Sequence, residues 1–234
     1  GYSATATMSP SAIDLEGFLG FAGVTRDAIA SGIFDGARCY LFATNFLAPV
    51  EDYEPIVASI MGKTTLEDDK YRVEEMALVD ALNQSVGKTY SAACQKTFGG
   101  QEYAGCMIDL GPLTVTGTLS AVTSSSIVRD AGRSEAADYF GLGTLQFTSG
   151  LNAGLKPMEI KRHEADGTLE VSEPFHYPPT IGDAYSLIPG CRKRLEDCRD
   201  KWEPILLTGK GNVDNFGGFS NIPTSSQYAE IGTR

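Results

Sequence analysis

The chain has 234 residues, 42% of them hydrophobic, and a formal net charge of −11 at pH 7. This acidic balance argues against a general nucleic-acid-binding protein, which normally carries a basic face. No run approaches the roughly 20 apolar residues of a membrane span, so we expect no stable membrane insertion. No basic segment followed by an apolar one marks a signal peptide. Because the sequence starts at Gly1 rather than at methionine, we expect that residues are missing before it.

The first predicted element is a short helix in VTRDAIASGIF, with Thr25 as its N-cap and Gly32 near its end. Alternating polar and apolar residues predict strands in six segments: 37–46, 70–76, 113–122, 143–150, 156–164 and 167–175. Apolar residues at spacings of three and four predict a helical face formed by Met76, Val79, Leu82 and Val86. Residues 192–202 also have a helical pattern.

These elements predict a mainly β fold with short helices, an α+β chain built from β-barrel or β-sandwich modules. The segment 123–140 is polar, rich in serine and charged, and it separates two strand-rich halves. We therefore expect a β-rich domain over 1–122 that carries the first two of four widely spaced cysteines. A second β-rich domain over 123–234 would carry the other two.

The five cysteines are the residues that point to chemistry. An odd number without a secretory signal indicates a reducing compartment, and Cys39 is interpreted as a small buried hydrophobic residue. Cys94 and Cys106 are separated by eleven residues, and Cys191 and Cys198 by six. Both gaps are wider than those of usual structural zinc sites.

Three interpretations of the four remaining cysteines stay open at this point: two disulfides, a four-thiolate zinc site, and a [4Fe–4S] cluster with four thiolate ligands. If residues 191–198 were helical, the Cα atoms of Cys191 and Cys198 would lie about 10.5 Å apart along the helix axis. A disulfide requires roughly 4.4–6.8 Å, so a loop would permit the bond and a helix would not.

The second cysteine pair is surrounded by basic residues. A cluster with four thiolates would carry a charge of 2−, and cationic side chains would offset it and donate hydrogen bonds towards the sulfurs. The alternative is a solvated helix face that pairs locally with Glu196 and Asp197. The candidates for charge compensation are Arg192, Lys193, Arg194, Arg199 and Lys201.

Other motifs give no support to an enzyme. The TGKGN segment (208–212) lacks Walker A spacing and is interpreted as a flexible turn. FTSGLNAG does not form a G-x-S-x-G nucleophile motif. His163 and His176 lie in or beside predicted strands and are interpreted as structural rather than catalytic residues. We therefore expect a chain without catalytic activity.

Several motifs resemble, in the same order, those of siphophage and gene transfer agent tail-tip baseplate hub proteins and, more distantly, of lambda-like tail-tip proteins with a C-terminal iron–sulfur domain. They are VTRDAIASGIFDGARCYLF, LNQSVGKTYSAACQKTFGGQEYAGC, DYFGLGTLQFTSGLNAG, and GDAYSLIPGCRKRLEDC followed by NFGGFSNIP. The chain departs from the family in an apparent insertion, EPILLTGKGNVD, and in Ser220 and Thr224 near the last motif.

The resemblance implies a structural [4Fe–4S] cluster held by Cys94, Cys106, Cys191 and Cys198. It also implies a virion protein at the tail tip or baseplate, assembled in the bacterial host cytoplasm as a homotrimer. Its partners would be a distal tail protein, a tip or fibre (megatron-like) protein and the tape measure protein, with DNA only as transiting cargo. The acidic composition would let the DNA slide through. The alternative function is a stand-alone iron–sulfur redox protein.

Overall fold

The computed structural model describes residues 13–20, 24–45, 47, 53–77 and 89–222. The chain divides into two compact units, Gly1–Gly87 and Lys88–Arg234. Both are built around antiparallel sheets, so the predicted mainly β fold is confirmed. Among the described residues, no helix is long and apolar enough to cross a membrane.

The first unit contains a four-stranded sheet in the order β1-β4-β3-β2. Its elements are β1 (Ile13–Phe18), α1 (Arg26–Ala30), β2 (Arg38–Thr44), β3 (Tyr53–Leu66) and β4 (Lys70–Ala77). Helix α1 begins as predicted, because the Thr25 side chain accepts a hydrogen bond from the amide of Ala28 at 3.1 Å.

The second unit contains a seven-stranded sheet in the order β5-β11-β8-β9-β10-β7-β6. Its strands are β5 (Val115–Thr118), β6 (Ala121–Val122), β7 (Ile127–Arg129), β8 (Thr144–Phe147), β9 (Met158–His163), β10 (Thr168–Val171) and β11 (Ala184–Ile188). A π-helical turn (Asp197–Lys201), helix α2 (Glu203–Leu206) and a 3₁₀ turn (Val213–Asn215) follow the sheet.

The core of the second unit follows from the period of two along its strands. Alternate residues of β8, β10 and β11 are buried, and they share one cluster with Leu119, Val128, Phe140 and Phe175. On β9 the inward residues are Ile160 and His163, three positions apart. The pairing register shifts there, because three residues of β9 oppose two of β10. This bulge turns His163 into the core.

The six predicted strands are all present, with one difference. The segment 113–122 forms two strands, β5 and β6, because the chain turns between them at Leu119 and Ser120. The predicted helix beginning at Met76 is wrong at its start, because Met76 lies in β4. Val79, Leu82 and Val86 lie outside the described residues. Four strands were not predicted: β1, β3, β7 and β11.

The structure places the division between the compact units at 87/88 rather than at 122/123. β5 lies before residue 122 in the sequence, yet it pairs with β11, which lies after it. Likewise β6 pairs with β7 across the proposed boundary. Both cysteine pairs therefore belong to the second unit, because its sheet contains strands from both sides of residue 122.

Candidate metal centre

The four cysteines lie in the segments that flank the seven-stranded sheet. Cys94 and Cys106 belong to the irregular segment before β5, Cys191 follows β11, and Cys198 lies in the π-helical turn. Cys94, Cys106 and Cys198 are buried and Cys191 is partly buried. All are free thiols, so the alternative of two disulfides is not formed in this structure.

The neighbouring thiols influence the ionisation of the second cysteine pair. Burial, together with the neighbouring thiols of Cys191, Cys94 and Cys106, raises the pKa of the Cys198 thiol to about 12. Burial also raises the pKa of Cys191, with a further contribution from Cys94. Cys94, Cys106 and Cys191 therefore lie close enough to Cys198 to influence its ionisation. Burial disfavours the thiolates of Cys191 and Cys198 unless a cation is present.

Backbone hydrogen bonds join the two cysteine pairs. The amide of Cys94 donates to the carbonyl of Lys193 at 2.8 Å. Asn212, which is buried, donates its backbone amide to the carbonyl of Cys198 at 2.8 Å. Its side-chain amide donates to the carbonyl of Cys106, also at 2.8 Å. Asn212 thus holds one cysteine from each pair.

Two backbone amides point at cysteine sulfurs. The Gly99 amide lies 3.2 Å from Cys106 Sγ, and the Gly217 amide lies 3.3 Å from Cys94 Sγ. A Cβ atom at Gly218 would lie only 2.7 Å from the Ala92 carbonyl oxygen. The absence of a side chain therefore permits this glycine-rich segment to approach the chain around Ala92 closely. NFGGF (215–219) therefore lies beside Cys94. Hydrogen bonds of this kind favour anionic sulfur over thiol.

The basic residues around the second cysteine pair bind two kinds of acceptor. Arginines pair with carboxylates, whereas lysines bind backbone carbonyls. Arg192 pairs with the buried carboxylate of Asp197, its Nη2 lying 2.8 Å from Oδ1, and its backbone amide binds Oδ2 at 2.8 Å. Arg199 pairs with Asp200 at the surface. Lys193 donates to the carbonyl of Lys96 at 2.6 Å. Its positive charge opposes the rise in the pKa of Cys191 that burial causes.

Lys201 is the most enclosed of these cations. Its Nζ donates to the carbonyls of Tyr139 and Gly190, both at 2.6 Å, and burial lowers its pKa. Gly190 precedes Cys191, so Lys201 fixes the start of the second pair. Of the predicted charge-compensating residues, Lys193 and Lys201 are the two whose side chains bind carbonyls in the segments that carry the cysteines.

Apolar side chains enclose one side of the cysteines. Cys106 packs in a cluster with Ile108, Leu113 and Trp202, and Cys191 contacts its margin. Trp202 stacks on Phe98 with ring centroids 5.2 Å apart. Sequence reasoning missed Trp202, although a signal was present: it is the only tryptophan and lies four residues after Cys198.

The apparent insertion supports this arrangement. The Glu203 carboxylate accepts hydrogen bonds from the amides of Gly209, at 2.6 Å, and Gly211, and from the Thr208 hydroxyl at 3.1 Å. These backbone amides lower the pKa of Glu203. The TGKGN segment is thus a fixed turn that delivers Asn212 to the cysteines, a role that the sequence did not indicate.

In the described part of the chain, no three histidine, cysteine, aspartate or glutamate side chains are grouped to hold a single metal ion. A tetrahedral zinc site would need every sulfur about 2.3 Å from one ion. Among the described residues, the four thiols therefore do not form the tight tetrahedron of zinc.

The remaining candidate residues lie elsewhere. His163 is buried in β9, where burial lowers its pKa and its ring packs on Phe140. Cys39 is partly buried in the first unit, where burial and then the Glu75 carboxylate raise its pKa to about 11. Neither arrangement provides a reactive base or thiolate.

Comparisons with known proteins agree with this architecture. Residues 1–109 match the family model described as baseplate hub protein, N-terminal attachment domain. Residues 138–226 match a model described as phage conserved hypothetical protein BR0599. A chain from the virion of a native gene transfer agent particle is 25% identical, with a TM-score of 0.70 over 96% of this chain and 75% of that one. No curated protein sequence matches significantly.

Proposed function

Because the chain is a baseplate hub protein of the phage and gene transfer agent type, we propose that it is a structural protein of the tail tip. A [4Fe–4S] cluster would cross-link distant segments of its chain. The ligands would be Cys94, Cys106, Cys191 and Cys198. The observation that carries the proposal is the convergence of four thiols from segments separated by 85 positions between Cys106 and Cys191.

The donor set and its surroundings fit such a cluster. Four thiols are the ligands that a [4Fe–4S] cluster takes, and two backbone amides already point at two of the sulfurs. Because a cubane is wider than one ion, it does not need the tight grouping that zinc requires. When bound, the cluster supplies four metal–sulfur bonds that cross-link distant segments, and metal binding then contributes folding free energy.

Anaerobic purification with iron and acid-labile sulfide analysis tests the cluster. We expect about four irons and four sulfides per chain. Cys191→Ser and Cys198→Ser should give colourless protein that assembles poorly into tails. Cys39→Ser is the matched control, because Cys39 lies in the other unit and should leave iron content unchanged. A Cys198→Ser protein that bound no iron yet assembled normally would show that the cluster is not a structural cross-link.

The hub would act as a homotrimer around the tail axis and join a distal tail protein to tip or fibre and tape measure proteins. Native mass spectrometry distinguishes this role from that of a stand-alone redox carrier. A trimer supports the hub, whereas a monomer at high protein concentration supports the carrier.

The attachment surface would lie on the first unit. Tyr40, Phe42, Tyr53 and Ile56 are exposed on β2 and β3, and the rings of Phe42 and Tyr53 pack edge to face with centroids 5.6 Å apart. Exposed apolar patches of this kind mark interaction sites. The matched family model names this region an attachment domain, and we assign the distal tail protein as its occupant. Phe42→Asp should weaken that complex without changing the native mass. A change in native mass would instead place a second copy there.

The net charge of −11 supports a conduit that DNA crosses without binding, since like charges repel. Retention of duplex DNA by the purified trimer at low ionic strength would contradict this part of the proposal.

A further inference from the structure

The indole nitrogen of Trp202 has no hydrogen-bond partner. The residue is 1% exposed, and its Nε1 is among the few buried polar side-chain atoms of the described residues that lack one. Buried donors are almost always paired, because an unpaired one carries the full penalty of its lost hydration. This donor therefore calls for an acceptor.

The contacts of the ring restrict where that acceptor can be. Phe98 stacks on the ring with an interplanar angle of 28°, and Lys201 Nζ lies over it, 5.0 Å from the centroid. The N–H bond lies in the plane of the indole, so neither group meets it, and an ammonium cannot accept a hydrogen bond. The acceptor must lie at the edge of the ring.

Among the side chains of the apolar cluster that contains Trp202, the thiols are the ones that carry an acceptor atom. The apolar cluster around Trp202 consists of Ile108, Leu113, Phe98, Leu110, Leu206 and the thiols of Cys106 and Cys191. Its other side chains are hydrocarbon. A thiol is a weak acceptor, but a metal-bound thiolate or sulfide carries negative charge and accepts strongly.

We propose that Trp202 donates its indole N–H to an anionic sulfur of the cluster and so sets its reduction potential. This inference rests on the proposed [4Fe–4S] centre. A donor aimed at a cluster sulfur stabilises the more negative, reduced state, and hydrogen bonds to sulfur are one of the levers on cluster potential. Trp202 is therefore a positioning and tuning residue, and the cysteines remain the ligands.

The test uses the full chain loaded anaerobically with ferrous iron and sulfide. Because Trp202 is the only tryptophan, a ¹⁵N-indole label gives a single N–H signal. We expect that signal to show a paramagnetic shift and to exchange slowly with deuterium in the loaded protein. In Trp202→Phe, the ratio of reduced to oxidised cluster at fixed potential should fall about threefold, equivalent to about 28 mV at 59 mV per tenfold.

Phe175→Leu is the matched control, since it removes a buried aromatic ring from the sheet core of the same unit but keeps Trp202 and its neighbours. It should leave the midpoint potential unchanged. A wild-type chain that forms no iron–sulfur chromophore overturns the proposed function and this inference together. A loaded chain with an unshifted indole signal, or with equal potentials in wild type and Trp202→Phe, overturns the inference alone. The labelling measurement needs no variant, so it decides the matter even if Trp202→Phe does not fold.

Discussion

Asn212 offers the sharpest test of how the two cysteine pairs are held. Its side chain donates to the Cys106 carbonyl at 2.8 Å and accepts from Asn215 Nδ2 at 2.9 Å. Asn212→Ala removes both bonds and leaves a carbonyl beside a buried cysteine without its donor. A net hydrogen bond contributes about 1 kcal/mol and an unsatisfied buried group costs about 1–3 kcal/mol. We therefore expect unfolding free energy to fall by about 3 kcal/mol.

Asn152→Ala is the matched control for this change. Asn152 is also buried, and its side chain bonds the carbonyl of Tyr177 at 2.8 Å and the amide of Tyr177 at 2.9 Å. It therefore loses a similar pair of bonds away from the cysteines. We expect both variants to unfold at lower urea concentration, with Trp202 fluorescence as the signal, but only Asn212→Ala to bind less iron per chain.

Two results would refute this reasoning. If Asn152→Ala lost as much iron as Asn212→Ala, iron loss would follow from general instability rather than from the position of the cysteines. If Asn212→Ala kept its full iron content and its urea midpoint, the bridge between Cys106 and Cys198 would contribute nothing measurable.

Three further changes test other parts of the second unit. Burial lowers the pKa of His163 below its usual 6.5, so the unfolded chain binds the proton more readily and the unfolding free energy should fall as pH drops below about 6.5. Urea titrations from pH 7 to 5 should show that His163→Phe removes this loss and His176→Gln does not. A Cβ at Gly117 would collide with the Tyr185 hydroxyl and the Asp130 carboxylate. Gly117→Ala should lower the melting temperature, at a cost of about 1–3 kcal/mol, and an unchanged melting curve would contradict the close packing. Glu203→Gln weakens the acceptor that holds the 208–211 turn, and faster trypsin cleavage after Lys210, with the rest of the chain intact, is the expected result.

Local sequence patterns predicted the elements whose side chains alternate clearly. β2, β4, β8, β9 and β10 follow from period-two patterns between turn residues, and α1 follows from its Thr25 cap. β3 was not predicted, because Pro55 and Gly62 interrupt its alternating pattern. Its pairing with β2 and β4 outweighs these local preferences in the folded chain. β11 was missed because its outward positions include apolar Ala184 and Ile188, which weaken the alternation, and its pairing with β5 and β8 makes it a strand.

Local sequence patterns could not predict where the chain divides into its two units. A serine-rich, charged stretch resembles a linker in composition, yet β7 lies within it and pairs with both β6 and β10. Composition records how polar a segment is, whereas sheet membership depends on which strands lie beside it in space.

By itself, the sequence determined the mainly β character, the phage-hub likeness and the four cysteines that could bind metal, because strand periodicity, motif order and thiol chemistry are properties of individual residues. Only the tertiary structure decided what surrounds those thiols. Asn212 reaches Cys106 across 106 positions of sequence, and Trp202 lies buried with its nitrogen unpaired among the described residues. Such contacts are set by the path of the folded chain, which brings together residues that no spacing rule connects.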